Sequence, residues 1–294
     1  MTAHFEKFLQ TGKIASNTGA NLWRFDGETD IEDATRAIEE GWVRGLWLSK
    51  IGGFKKSDIS SLLRLPDFQE LWLNDLRDVD VSCISHLAGL KYLTMEDDHK
   101  GDISFSTLNQ LKVLRVGRKY FSQADSILEQ LEILDLRDYT GRDLMVLSKC
   151  TSLTGLSIIG ARKLESMRGI ENSFQLGRLE VCYCQNLVDV GALRYLCSLK
   201  YLEIMNARKI VDLSPIAGCT ELLKLILVKV SGMHDIDFLQ KNNALQHLAI
   251  RDSKIINPDV SVILKLPNLN YVHFSPMKPY KAIVDIFNRN IAHQ

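Results

Sequence analysis

The sequence predicts an α/β solenoid. It reads as a curved horseshoe with a parallel β-sheet on its concave side, short 3₁₀ or irregular segments on its convex side, and helical caps at both ends. Two observations carry this expectation. First, a segment of the form apolar-x-x-apolar-x-apolar recurs eleven times, starting at Val43, Phe68, Leu90, Leu111, Leu131, Leu153, Leu176, Leu199, Leu222, Leu245 and Leu269. Successive starts lie 20 to 25 residues apart, a period that marks a chain built from stacked units. Second, the apolar spacing changes from two to three after each segment, as in Leu187, Val190, Leu193 and Leu196, or Ile210, Leu213, Ile216 and Cys219. Spacing of two suits a strand, and spacing of three suits the three-residue turn of a 3₁₀ helix.

Taken along the chain, residues 1–42 read as an N-terminal cap. Thr29 and Glu32 have the spacing of a capping box, in which hydroxyl and carboxylate satisfy free amides at a helix start. Ile31, Ala34, Ala37 and Ile38 then share one helical face, and Gly41 supplies a stop. Trp23 and Phe25, just upstream, suit a degenerate first strand. Residues 43–276 hold the eleven repeats. The fourth position of each is Leu, except Val272, and the sixth is always apolar, so both should point into the core. Residues 57–65 are the one stretch where a true helical turn is expected. Residues 277–294 follow as a C-terminal cap, an amphipathic helix after Pro279 carrying Ile283, Val284, Ile286, Phe287 and Ile291. A stack needs both covers, because an open end exposes a slice of core to water.

Composition excludes several classes. Thirty-six basic and 36 acidic residues cancel, so no global field draws the chain to nucleic acid or an anionic membrane. The first ten residues contain no apolar run suited to a signal peptide, and no later stretch suits a membrane span, which gives a cytoplasmic expectation. Cys150, Cys197 and Cys219 fall just before a leading Leu and read as reduced core residues. Cys182 and Cys184 form a Cys-x-Cys without a second ligand pair at zinc spacing.

The repeated Leu-x-x-Leu-x-Ile/Leu string, with a further apolar residue near position twelve, resembles the leucine-rich repeat family over roughly residues 43–276. The short units look most like bacterial-type repeats, including the internalin-like class. The resemblance implies protein binding through the concave sheet, without cofactor or catalysis. One departure stands out. The family often places Asn at position nine, where this chain has Ala161, Cys184, Ala207, Val230 and Ser253. Other hydrogen bonds must therefore close the turn.

Strand positions three, five and seven should face outward in aligned rows. Position seven gives Arg137, Ile159, Cys182, Met205, Val228 and Arg251, an apolar run between two arginines that Ile226 extends from position five. Arg178, Glu180, Tyr201, Glu203 and Lys224 form its charged and aromatic rim, with Lys229 and Asp252 beyond. An apolar centre with such a rim has the anatomy of a protein interface. Trp47 and Trp72 at position five of adjacent strands, with Tyr92 at position three, form a second candidate, since Trp and Tyr dominate binding hot spots. The bland alternative there is that the N-terminal cap covers the rings.

Charge is banded elsewhere, with Asn74, Asp75 and 96–98 followed by Arg115, Arg118 and Lys119, a pattern suited to solvated inter-repeat pairing. Residues 96–98 lack the spaced oxygens of a calcium loop. His247 and His273 lie near each other on neighbouring strands, with no matching nucleophile, and no phosphate-cradling loop occurs. The expectation is a non-catalytic module with no cofactor that binds a protein partner. A cytoplasmic immunity or inhibitor protein that neutralises a cognate toxin or enzyme fits first. A regulatory or effector scaffold is second, and a carbohydrate or peptide receptor third.

Overall fold

The structure is a computed structural model that describes residues 11–292, apart from 18, 19, 28, 29, 96, 97, 232, 276 and 277. The first ten residues, Thr29, Glu96 and Asp97, on which parts of the sequence reading rest, lie outside the described residues. The chain divides into two compact units, Met1–Leu131 and Glu132–Gln294.

The first unit contains strands β1 (Ile14–Asn17), β2 (Ala20–Arg24), β3 (Gly45–Ser49), β4 (Glu70–Asn74), β5 (Tyr92–Met95) and β6 (Val113–Gly117). β1 pairs antiparallel with β2, and from β2 to β6 each strand pairs parallel with the next. Trp23 and Phe25 are fully covered, so β2 is the degenerate first strand the sequence suggests. Helix α1 (Ile31–Glu39) returns the chain from β2 to β3 and buries Ala34 and Ala37. Gly41 adopts φ +69°, and its N–H reaches the Ile38 carbonyl at 3.0 Å, the left-handed stop that glycine accepts without a Cβ penalty.

The capping-box residue Thr29 is not described, and the helix start falls one residue later. The N-cap residue is Asp30 rather than Thr29, and its carboxylate makes no cap bond. It turns inward instead, accepting the Trp23 indole N–H and the Lys13 ammonium, each at 2.9 Å. Burial pushes this carboxyl above its ordinary range, opposed by the Lys13 contact. The helical turn expected over residues 57–65 is a 3₁₀ turn, Ser60–Arg64, in line with the 3₁₀ turns Ser82–His86 and Phe105–Thr107 that follow. A four-residue helix, α2 (Arg118–Phe121), follows β6 directly. There Lys119 does not join a charge band. Its ammonium lies 2.7 Å from both the His99 and Gly101 carbonyls.

The second unit is the more regular. β7 (Ile133–Arg137), β8 (Gly155–Ile159), β9 (Arg178–Cys182), β10 (Tyr201–Met205), β11 (Lys224–Val228), β12 (His247–Arg251) and β13 (Tyr271–Ser275) pair parallel in chain order. Equivalent repeat positions are in register, so Leu134, Leu156, Leu179, Leu202, Leu225 and Leu248 stack in one buried row, none more than 2% exposed. Burial of each such side chain contributes roughly 1.5–3 kcal/mol. Val272 ends the row half-buried on β13. Leu187, Val190, Leu193, Leu196, Ile210, Leu213, Ile216 and Cys219 are all buried too, as their three-residue spacing requires. The 3₁₀ turns Met145–Lys149, Gly191–Tyr195, Ser214–Gly218, Asp237–Lys241 and Ser261–Lys265 recur once per repeat, except between β8 and β9.

The turn after each strand shows how the chain manages without Asn at position nine. Position eight is left-handed in Asp75, Asp138, Gly160, Tyr183, Asn206, Lys229 and Asp252, with φ between +50° and +72°. From Asp138 to Asp252, its N–H reaches the position-seven carbonyl of the next strand at 2.8–2.9 Å. The position-nine side chains are then buried in the bend, where Ser253 Oγ accepts from the Val230 N–H and donates to the Arg251 carbonyl.

Two further expectations are corrected. Cys150 and Cys219 are buried, but Cys197 is exposed. Leu196 takes the inward position of that repeat, and Cys197 follows it in the turn. Helix α3 (Lys281–Ala292) buries Val284 and Phe287, while Ile286 is exposed on its outer side. Tyr280 seats this end, its ring 4.8 Å from that of Phe274. No helix of the described residues is long and apolar enough to cross a membrane.

Candidate functional site

Because strands in each unit are parallel and in register, outward side chains form rows about 4.8 Å apart. In the first unit Trp47 and Trp72 are neighbours in one row, and Tyr92 lies in the row beside it. Both indoles are half-buried. The Arg24 guanidinium of β2 sits 4.9 Å from the Trp47 ring centre, and Arg115 sits 5.9 Å from that of Trp72. Trp47 Nε1 also donates to Asn74 Oδ1 at 2.8 Å. Among the described residues the cap reaches Trp47 through a cation, Arg24. The indoles are thus held in place with part of each ring still open.

In the second unit the position-seven row runs Arg137, Ile159, Cys182, Met205, Val228, Arg251, as the sequence places it. Ile159, Cys182 and Met205 are partly open and the two arginines exposed, but Val228 is only 9% exposed. Val228 is therefore corrected from a contact residue to a covered one. A short β-branched side chain between the longer Met205 and Arg251 lies below the surface they define. Ile226 stays partly open beside it.

The position-three row carries the most ordered chemistry. Tyr201 lies between Arg178, whose guanidinium is 3.9 Å from the ring centre, and Lys224, whose ammonium is 5.7 Å away. Arg178 pairs with Glu180, and the Tyr201 hydroxyl donates to Glu203 Oε2 at 2.7 Å. Burial first, and then the bond to Glu203, push the phenol pKa up, so it remains a donor. Exposed cation–π contacts contribute about 0.5–1 kcal/mol each. Their greater effect here is to fix Arg178, Glu180, Tyr201, Glu203 and Lys224 in one geometry before anything binds.

His247 and His273 do not form a pair. His247 is opposite Tyr271, their rings stacked at 4.1 Å, and His273 is opposite Ala249. Burial and the neighbouring Lys224 lower the His247 pKa, which favours the neutral ring.

A cavity of about 670 Å³ in the first unit brings Cys83, Ser82, His86 and Asp102 together on the side of the 3₁₀ turns. Burial pushes the Cys83 thiol up to about 11, and Sγ donates to the Ile59 carbonyl at 3.3 Å. A protonated, committed thiol is a poor nucleophile. Cys182 and Cys184 are likewise pushed up to about 12 and about 11, chiefly by burial. No group of three or more His, Cys, Asp or Glu side chains among the described residues is placed to hold a metal ion.

No protein-family model matches the chain, and no curated protein matches it. Among solved structures it is similar to an internalin (inlF) of Listeria monocytogenes, with 24% identity over 78% of this chain and 67% of that one and a TM-score of 0.64. The chain has the leucine-rich-repeat fold. An internalin C2 of Listeria monocytogenes follows at 20% identity over 66% of this chain and 75% of that one, TM-score 0.47. A leucine-rich-repeat protein of Leptospira interrogans is 17% identical over 79% and 72%, TM-score 0.44.

Two repeated features of these leucine-rich repeats escaped the sequence reading. One is the left-handed position eight, signalled by Asp, Gly or Asn in five of the seven repeats named above. The other is a carboxylate ahead of most 3₁₀ turns. Asp58, Asp80, Asp143, Asp189, Asp212, Asp235 and Asp259 each accept the backbone N–H two residues on, at 2.8–3.1 Å. The 22-residue step from Asp58 to Asp80 and the 23- and 24-residue steps from Asp189 to Asp259 were the available signal.

Proposed function

We propose that this is a non-catalytic protein-binding leucine-rich-repeat protein whose partner seats on the outward sheet face of residues 132–294. The finer reading is a cytoplasmic immunity or inhibitor protein that covers the working site of a cognate toxin or enzyme. The observation that carries it is the braced row of Arg178, Tyr201 and Lys224, tied to Glu180 and Glu203 and flanked by the open Ile159, Met205 and Ile226. Aromatic and arginine anchors fixed in advance lose little entropy on binding, which suits rigid protein recognition. The Trp47 and Trp72 pair offers a second contact area of the same character.

The test is affinity capture from native lysate with wild type and a folded Met205→Glu variant, followed by titration of the recovered protein. Retention by wild type alone, with stoichiometric loss of the partner's own activity on binding, supports the inhibitor reading. Equal retention by both proteins would remove the site from this face.

A further inference from the structure

The chain carries no net charge, yet one edge of the second unit is strongly basic. The edge lies where strands β8 to β12 end and their turns begin, at residues 159–163, 182–186, 205–209, 228–231 and 251–255. Arg162, Lys163, Arg208 and Lys209 stand there, joined by Lys229, Arg251 and Lys254, against the single acid Asp252. None of these seven cations forms an ion pair with a described residue. The opposite edge, where the same strands begin, holds one basic and one acidic residue, Lys200 and Glu221, across 151–154, 174–177, 197–200, 220–223 and 243–246. The charge is therefore a property of one edge rather than of the repeat.

A second observation falls on the same edge. Position eight must be left-handed, a conformation that strains an ordinary side chain but suits Gly, Asn and Asp. Five of the seven left-handed positions use those three types. The two exceptions are Tyr183 at φ +59° and Lys229 at φ +53°, and both belong to this edge. Tyr183 is 50% exposed, so burial gives no return for its backbone strain. Strain kept at an exposed aromatic is the signature of a residue retained for contact. One repeat further on, Arg208, Lys229 and Lys254 line a groove of about 410 Å³ together with Val230, Ser231 and the single acid Asp252.

We infer that this edge is a second docking surface, and that its occupant is an extended acidic segment of a protein. Arg162, Arg208 and Lys254 occupy the same position in alternate repeats, about 9.6 Å apart at a strand spacing of about 4.8 Å. A polyproline II chain rises about 9.3 Å every three residues, so carboxylates at every third position meet successive cations. The positive field is short and local within a neutral chain. It suits a short charged peptide better than a nucleic acid, which is gathered by a broad basic surface. The variants that test the edge leave Met205 and Ile226 in place, so its test is independent of the binding proposed for the sheet face.

The experiment is fluorescence anisotropy with a labelled peptide of about fifteen residues, Glu at every third position and Pro or Ala between, at about 50 and about 200 mM salt. Wild type should bind at the lower salt and weaken at the higher. Arg208→Glu combined with Lys254→Glu should lose roughly tenfold or more in affinity, and Arg36→Glu on α1 should leave it unchanged. Tyr183→Asn should bind several-fold more weakly while melting at the same or a higher temperature, a combination that a merely structural tyrosine would not give. Absence of wild-type binding at low salt, or equal affinity in the double variant, would overturn the proposal. So would a single-stranded oligonucleotide of equal charge that displaces the peptide.

Discussion

Leu202→Ala tests the inward phase on which every surface row depends. Leu202, on β10, has no exposed area, and Leu179 and Leu225, also fully covered, stand opposite it on the flanking strands. Those neighbours are pinned by the strand ladder and cannot close over a missing isobutyl group. Truncation should therefore cost about 2–5 kcal/mol, transfer and cavity effects together. Val272 offers the internal control. It occupies the same repeat position, but it is half-buried on β13, and Val272→Ala should cost about 1 kcal/mol or less. Urea unfolding followed by circular dichroism gives both values from the midpoint and slope. A reduced slope in Leu202→Ala would mean that part of the stack unfolds separately, which repeat proteins permit. The reasoning is refuted if Leu202→Ala costs no more than Val272→Ala.

Three further outcomes are expected. The carboxyls of Asp58, Asp80, Asp189, Asp235 and Asp259 are held below the usual carboxylate range, chiefly by bonds to Ser60, Ser82, Ser166, His234 and Ser261 respectively. A depressed folded pKa adds stability above the unfolded value that disappears as pH falls through the folded one, so the melting temperature should drop below about pH 4, and less steeply in Asp189→Asn. Asp30 has the opposite sign: its carboxyl is raised by burial, so Asp30→Asn should improve relative to wild type as pH climbs from about 4 to 7. A difference that stays flat with pH would contradict the buried placement. Finally, an aromatic disulfide reagent should label Cys197 first, while Cys150, Cys184 and Cys219 wait for unfolding; Cys197→Ser removes the fast phase, and its persistence would contradict the exposed turn.

The strands were legible because core packing writes a two-residue alternation into the sequence, and the return segments because a 3₁₀ turn writes a three-residue one. The rows on the sheet followed from parallel pairing alone, and Met205 and Tyr201 fall where that arithmetic puts them. Less legible was anything set by the relative lengths of neighbouring side chains. Val228 belongs to the outward row yet is covered, and Cys197 is one residue past the buried position that spacing seemed to assign it. Nor could the sequence show that Asp30, the residue at the helix start, is bound to Trp23 and Lys13, seven and 17 residues away, instead of capping the helix. The bracing of Tyr201 by Arg178 and Lys224 needed no new residues, only the knowledge that one row brings them together.

The bond from each position-eight N–H to the following strand's carbonyl also governs how such a chain can change length. From Leu153 to Leu245 the repeat starts are uniformly 23 residues apart. Excising residues 176–198 would bring Gly160 against Met205, and the same donor would meet an equivalent acceptor. Excising 22 residues instead would leave one repeat a residue longer, a difference the turn segment absorbs, as it does between the 22-residue step from Leu131 to Leu153 and the 24-residue step from Leu245 to Leu269, both of which keep the strands in register. Whole modules can thus be gained or lost with the ladder intact, while single residues are gained or lost in the turn segments between strands.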